Sequence, residues 1–366
     1  MDGNQRFVAG AAVAAGLVVG ATAPAVGQAL PAPTYNDIQY GDGHVRQTLD
    51  IYMPPGEAVR PRPAVLWFHG GGWRNGSKAG AAERAPRLLQ RGIVVVGVNY
   101  RYSTDERFPA QIHDCKGAIR WLRANAETYN IDPNRIGVWG ASSGGHLAAL
   151  AGTAGDVEEL EGTVGGNLEE SSRVQAVADY YGHTDFFAVH PEQAQCGSSE
   201  SRLLGQCLSL IQENRDHPEW AEWVTLATMA SPVAHVTADD PPFRILHGAL
   251  DTVVIPLHSE LLHEALTQAG VESHLTVLAD AGHGTDLIHD QTTADLLAKW
   301  LANPDCTADW NNDGRVNSTD ISVFLSVWLA SHGAASPGGD YDGDGALTSG
   351  DISAYLQDWL EQIGGC

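Results

Sequence analysis

The sequence predicts an α/β fold, on three observations. Five short apolar runs, Ala64–Phe68, Ile93–Val98, Ile136–Trp139, Val174–Tyr181 and Phe243–His247, are rich in β-branched and aromatic residues and almost free of charge, as parallel strands covered on both faces are. Between them, Cys115, Ile119 and Leu122, and later Leu257, Leu261 and Ala265, recur at helical spacing. Strand and helix therefore alternate, which implies right-handed crossovers and a parallel sheet. Tyr35 to Met53 adds an antiparallel hairpin, and Leu275–Leu278 a further strand.

The chain has 366 residues, room for two or three domains at about 150 residues each. Hydrophobic residues make up 43%, with 10 Trp, 10 Tyr and 7 Phe, which excludes a mostly disordered chain. A formal charge of −24 repels phosphate backbones and anionic lipid, so nucleic-acid and membrane-surface binding are not expected. Residues 1–29 read as a signal peptide. Arg6 precedes an uncharged Ala/Val/Gly stretch, Phe7 to Ala29, that closes on the small-x-small pattern Gly27-Gln28-Ala29. The mature protein is thus expected to be exported (extracellular, cell-surface or periplasmic), without a membrane span, and in an oxidising compartment where cysteines pair.

Three features of residues 30–303 fit one mechanism. Gly140-Ala141-Ser142-Ser143-Gly144 stands between a predicted strand and a predicted helix at Gly145–Ala151. A serine on such a sharp turn is lifted above the sheet edge, and small neighbours permit the turn. Ser142 is the expected nucleophile and Ser143 its rival. His69-Gly70-Gly71-Gly72-Trp73 follows another strand. Consecutive glycines let backbone N–H donors reach the oxyanion formed in acyl transfer, while His69 props the loop. Asp251 and His283 each follow a strand, and in this reading the carboxylate orients the imidazole that takes the serine proton. His247 and His289 are the fallback bases. Residues 182–236 offer a lid or substrate wall, where Phe186, Phe187, Trp220 and Trp223 are either lining or plain core. Cys196 and Cys207 are spaced to staple this stretch, and Cys115 reads as a buried free thiol.

Composition changes at Asn303-Pro304-Asp305, and residues 304–366 form a separate small domain. It repeats itself at an offset of 31 residues, Asp309–Asp320 against Asp340–Asp351. Each loop is followed by an apolar stripe, Ile321, Phe324, Leu325, Trp328 and Leu329, then Ile352, Tyr355, Leu356, Trp359 and Leu360, two faces that can bury each other. Asp309, Asn311, Asp313, Asn317 and Asp320 occupy loop positions 1, 3, 5, 9 and 12, and Asp340, Asp342, Asp344, Thr348 and Asp351 do so in the second loop. Oxygen donors on alternate residues, with the position-7 carbonyls of Arg315 and Ala346, wrap a hard cation, and Ca²⁺ is expected at both loops. No cofactor is expected for catalysis. Cys306 precedes the first loop and Cys366 ends the chain, and the two ends of paired loop–helix repeats lie close, so a Cys306–Cys366 disulfide is expected.

HGGGW, Asn99-Tyr-Arg-Tyr102, Phe108-Pro-Ala110, Trp121-Leu-Arg-Ala-Asn125, GASSGGHL and HGALDTVVIP together resemble the α/β-hydrolase carboxylesterases, in the bacterial feruloyl-esterase-like branch close to the hormone-sensitive-lipase type. The resemblance implies the triad Ser142, Asp251 and His283 in that chain order, an oxyanion hole from Gly71, Gly72 and the N–H of Ser143, and substrates among small acyl esters, including acetyl and feruloyl groups on plant polysaccharides. Ser143 stands where the family more often has Ala. Residues 305–366 resemble a dockerin of the type ending in Gly-Cys, implying a cohesin-type or cell-surface partner, with recognition positions at Ser318-Thr319 and Ser349-Gly350. The expected function is an exported serine carboxylesterase; the alternatives are a prolyl-oligopeptidase-type serine peptidase, for whose propeller the chain lacks room, and a non-catalytic hydrolase-like binding protein.

Overall fold

The computed structural model describes residues 29–284, 291–331, 339–341 and 346–363. The β-branched runs form one eight-stranded sheet: β1 Tyr35–Gln39, β2 Thr48–Tyr52, β3 Arg62–Phe68, β4 Val94–Val98, β5 Ile131–Ala141, β6 Ala176–Tyr180, β7 Phe243–Gly248 and β8 Ser273–Leu278, in the order β1-β2-β4-β3-β5-β6-β7-β8. β1 and β2 are the expected hairpin, antiparallel to each other and to β4, while β4 through β8 run parallel with β3. β3, β4, β6 and β7 are buried along their whole length, because both faces of the sheet are covered.

One face carries α2 (Ala110–Ala124), α3 (Ser143–Thr153) and α8 (Leu257–Ala269); the other carries α1 (Ala85–Leu89) and α9 (Gln291–Trp300). Each large apolar side chain so covered contributes about 1.5–3 kcal/mol. Between β6 and β7 lie four short helices, α4 (Pro191–Ala194), α5 (Ser199–Leu204), α6 (Leu208–Glu213) and α7 (Ala221–Met229). Cys196 and Cys207 are joined there by a disulfide, and Cys115 is a buried free thiol on α2.

One helical phase differs from the sequence reading. α8 does not bury Leu257, which is 41% exposed, but turns His258, Ser259, Leu262 and Leu266 inward. Hydrogen bonds decide the rotation. The Thr184 amide donates to His258 Nδ1 at 3.2 Å, and Ser259 Oγ lies 2.7 Å from His247 Nδ1.

In the C-terminal part, α10 (Ser318–Ser331) and α11 (Ser349–Gln362) close on Phe324 and Tyr355, stacked with ring centroids 4.0 Å apart. The far edges of the two apolar stripes are not covered: Leu329 and Leu360 are 65% and 67% exposed. Two helices bury only the inner rows of each stripe.

The first loop of this part is seated on the sheet domain. The Val59 amide donates to the Asp313 carbonyl at 3.0 Å, Asn312 Nδ2 donates to the Arg91 carbonyl at 3.0 Å, and Arg135 Nη1 donates to Asn312 Oδ1 at 3.1 Å. Gly92 has φ +70°, and a Cβ there would fall 1.7 Å from the Asn311 carbonyl oxygen, so only glycine admits this contact. Among the described residues no helix is long and apolar enough to cross a membrane. The leader assigned to residues 1–29 falls, but for Ala29, outside the described residues.

Candidate active site

The turn at Ser142 follows from local sterics. Ser142 has φ 55° and ψ −121° between β5 and α3, a conformation an L-residue holds only where its surroundings over-determine it. A Cβ at Gly144 would lie 2.0 Å from the Phe68 carbonyl oxygen, so the helix start packs against β3 only as glycine. The Ser142 amide donates to the Tyr180 carbonyl at 2.8 Å, fixing the turn to β6.

Ser142 Oγ lies 3.1 Å from His283 Nε2, and His283 Nδ1 lies 2.7 Å from Asp251 Oδ2. The carboxylate only accepts, so Nδ1 carries the proton and Nε2 offers its lone pair to the serine hydroxyl. Asp251 is itself held: Oδ1 accepts from the Val253 and Val254 amides at 2.8 and 2.9 Å. Burial alone would raise the Asp251 pKa, but hydrogen bonds from His247, His283 and the Val254 amide hold it well below the usual carboxylate range. The Tyr181 and His283 rings meet in a T-shaped contact, centroids 4.7 Å apart.

The other candidates take different places. Ser143 is buried, its Oγ 3.5 Å from Tyr100 Oη. His247 stands behind the acid: Nε2 is 2.8 Å from the Val254 carbonyl and 3.3 Å from Asp251 Oδ2. His289 lies outside the described residues. His69 stacks on Tyr100, centroids 4.3 Å apart, with Nδ1 2.9 Å from the Gly70 carbonyl; burial pushes its pKa down to about 4. Gly71 and Gly72 have φ of 122° and 60° and, with Ser143, line the same cavity of about 760 Å³ as Ser142 and His283.

Phe186, Phe187, Trp220 and Trp223 are not among the residues lining that cavity. Phe186 is fully buried in the core, and the other three pack against it. The segment instead contributes His183, Ser199 and Glu200 to the wall. Sequence reasoning missed these three, and it missed His146, whose Nδ1 accepts the Trp73 indole N–H at 3.1 Å. Partners 73 residues apart leave no local signal; only the polar residue in the otherwise apolar run after the elbow marks His146.

In the first repeat loop, Asp309 accepts from the amides of Asp313 (3.0 Å) and Gly314 (2.8 Å), and Asp320 from those of Asn311 (3.1 Å) and Asn317 (2.9 Å). Burial, with the neighbouring Asp320 and Asp313 adding to it, pushes Asp309 up to about 6. Such crowded oxygen donors suit a hard cation. Among the described residues, however, no three carboxylate, imidazole or thiolate groups converge as a metal cage, so a cation here would draw on amide and carbonyl oxygens as well. Asp351 likewise accepts the Thr348 amide at 2.7 Å in the second loop. Asp342 and Asp344 lie outside the described residues, as does Cys366, the assigned partner of the buried Cys306.

Residues 49–266 match the BD-FAE family, a stretch that includes Ser142 and Asp251. The chain is 33% identical to esterase LipC of Mycobacterium tuberculosis over 70% of its own length and 61% of that protein's. It spans about three fifths of the length of the first curated relatives it matches. Among solved structures it is similar to a truncated carbohydrate esterase from gut microbiota, at 30% identity and TM-score 0.66, covering 74% of this chain and 96% of that one. It is also similar to an acetyl ester-xyloside bifunctional hydrolase from Caldicellulosiruptor lactoaceticus, at 26% identity and TM-score 0.54, covering 69% and 87%. With the sheet order, the serine turn and these likenesses together, the chain belongs to the BD-FAE family of α/β-hydrolases.

Proposed function

We propose that this protein is a serine carboxylic-ester hydrolase that cleaves small acyl esters. The observation that carries the reading is the unbroken line from Ser142 Oγ through His283 to Asp251 Oδ2, at 3.1 and 2.7 Å, on a strained strand-to-helix turn.

In this mechanism His283 Nε2 takes the Ser142 proton as Oγ attacks the acyl carbon. The carbonyl oxygen gains the electron pair and is met by the backbone N–H groups of Gly71, Gly72 and Ser143. Collapse expels the alcohol, which takes the proton from His283 and leaves an acyl-Ser142. Water then attacks with His283 again as base, releasing the carboxylic acid and restoring the serine. Asp251 holds the imidazole in the Nδ1–H form throughout.

Acetyl esters of plant polysaccharides are the substrates we assign, with feruloyl esters second. The names of the similar carbohydrate esterase and acetyl ester-xyloside hydrolase support that choice. The protein is exported after loss of residues 1–29. Residues 304–366 are a dockerin-like module that binds Ca²⁺ at two loops, is closed by a Cys306–Cys366 disulfide, and attaches the enzyme to a cohesin-type or cell-surface partner.

Hydrolysis of p-nitrophenyl acetate by the intact protein, set beside Ser142→Ala, tests the catalytic reading; absence of turnover by the intact protein overturns it. Alkylation of Cys366 under non-reducing conditions would overturn the disulfide.

A further inference from the structure

Part of the catalytic cavity wall comes from the stretch between β6 and β7, and that part is polar. His183 leaves the end of β6, and Glu200 stands in the first turn of α5, inside the loop closed by the Cys196–Cys207 disulfide. Their side chains are only 5% and 7% exposed, yet both line the cavity that holds Ser142 and His283. His183 Nε2 lies 2.8 Å from Glu200 Oε1. A carboxylate only accepts, so Nε2 carries the proton, and in the neutral imidazole Nδ1 is then a lone-pair acceptor. That Nδ1 is buried and has no hydrogen-bond partner among the described residues. Gln193 does not supply one: its Nε2 lies 3.1 Å from His183 Nε2, and it donates to the Val253 carbonyl.

Burial, the largest single influence, would raise the Glu200 pKa, but the hydrogen bond and charge interaction with His183, with smaller help from its own backbone amide and Ser198, together hold the group below its ordinary value. An ionised carboxylate and an imidazole in a substrate wall suit an alkyl chain badly. The chain would strip water from both without replacing a hydrogen bond. What the pair still offers, the remaining carboxylate lone pairs and Nδ1, is acceptor capacity, so its complement is a donor. The turn that carries Glu200 also reaches the oxyanion loop, for a Cβ on Gly72 would sit 2.8 Å from Ser199 Oγ. A group held by Glu200 therefore belongs to a molecule in the same cavity as Ser142 and His283.

We infer that His183 and Glu200 are a specificity-determining pair that accepts hydrogen bonds from a free hydroxyl of the ester substrate. The inference rests on the ester-hydrolase reading and names what that site selects.

Two matched pairs of esters test it: glyceryl monoacetate against propyl acetate, which differ in hydroxyls on the alcohol side, and methyl lactate against methyl propionate, which differ on the acyl side. The intact protein is expected to favour the hydroxylated member of one pair about tenfold or more in kcat/KM, chiefly through KM. Which pair responds tells the side of the scissile bond on which the hydroxyl sits. The double variant His183→Phe/Glu200→Leu removes both partners together, leaving no buried charge unpaired, and the preference should collapse to about twofold or less. Glu200→Gln, which keeps the shape, carries the test should the double variant fail to fold; there the preference should fall about threefold. Equal kcat/KM within both pairs for the intact protein, or an undiminished preference in a folded variant, overturns the pair alone. Turnover of none of the four esters overturns the ester-hydrolase reading beneath it.

Discussion

Trp73 donates its indole N–H to His146 Nδ1 across 3.1 Å, joining the glycine loop to the helix that begins at the Ser142 turn. His146 Nε2 in turn lies 2.8 Å from the Ala230 carbonyl, so one neutral imidazole accepts from the loop and donates to the segment after α7. Trp73 has φ 54°, a conformation its anchored indole helps to hold. Trp73→Phe should leave Nδ1 unpaired in a fully buried site, at about 1–3 kcal/mol. Calorimetry should show a Tm lower by several degrees, and kcat for p-nitrophenyl acetate should fall while KM changes little. A variant with native Tm and kcat would contradict this.

Ser142→Ala and Ser143→Ala should separate cleanly. The first removes the atom facing His283 and should lower kcat by about three to six orders of magnitude with an unchanged circular dichroism spectrum. The second removes a hydroxyl that faces Tyr100 and leaves the backbone N–H in place, so activity should stay within about fivefold. Reversal of the two results would move the nucleophile.

Burial depresses His69 to about 4, while an unfolded chain titrates its histidines near about 6.5. Between those values the unfolded chain binds a proton that the folded chain refuses, so stability is lost as pH falls from about 6.5 towards 4. The largest loss from this group is roughly 3 kcal/mol. His69→Phe lacks the titration, so its Tm should gain on the parent's as pH drops from 7.5 to 4.5. A constant gap across that range would refute the assignment.

Gly92→Ala should unseat the first repeat loop, because the added Cβ meets the Asn311 carbonyl oxygen. Limited proteolysis should then cut near residues 302–305 faster than in the parent, while ester hydrolysis is largely retained. Equal cleavage rates would show that the joint is not held there.

Calcium should raise the melting temperature of the C-terminal part and a chelator should lower it, since a cation neutralises carboxylates crowded in each loop. Asp309→Ala should blunt the response. A thermogram indifferent to chelator would remove the metal from the description.

What was legible in the sequence was local. The serine turn is written in five consecutive residues, because tight packing of Gly144 on β3 and a positive φ at Ser142 are properties of adjacent atoms. The strands are legible because both faces are covered and periodicity is not needed to find them. The phase of α8 is not legible because Leu257 is more apolar than His258, and the polar residues are turned inward by the Thr184 amide, 74 residues from His258, and by His247 on β7, 12 residues before Ser259. Hydrophobicity alone leaves Phe186 open between substrate lining and core, and only the packed fold places it in the core. The His183–Glu200 wall joins two residues of unremarkable context through a fold that no short window contains.

The contacts made by the first repeat loop fall at Val59, Arg91 and Arg135, before or within the first halves of β3, β4 and β5. Ser142, Asp251 and His283 all follow the last residues of their strands. The C-terminal part therefore grips the sheet at its foot while Ser142, Asp251 and His283 gather at its crown. The cavity lined by Ser142 and His283 and the seat of the first repeat loop thus stand at opposite ends of one sheet, as a lamp and its bracket stand at the two ends of one arm.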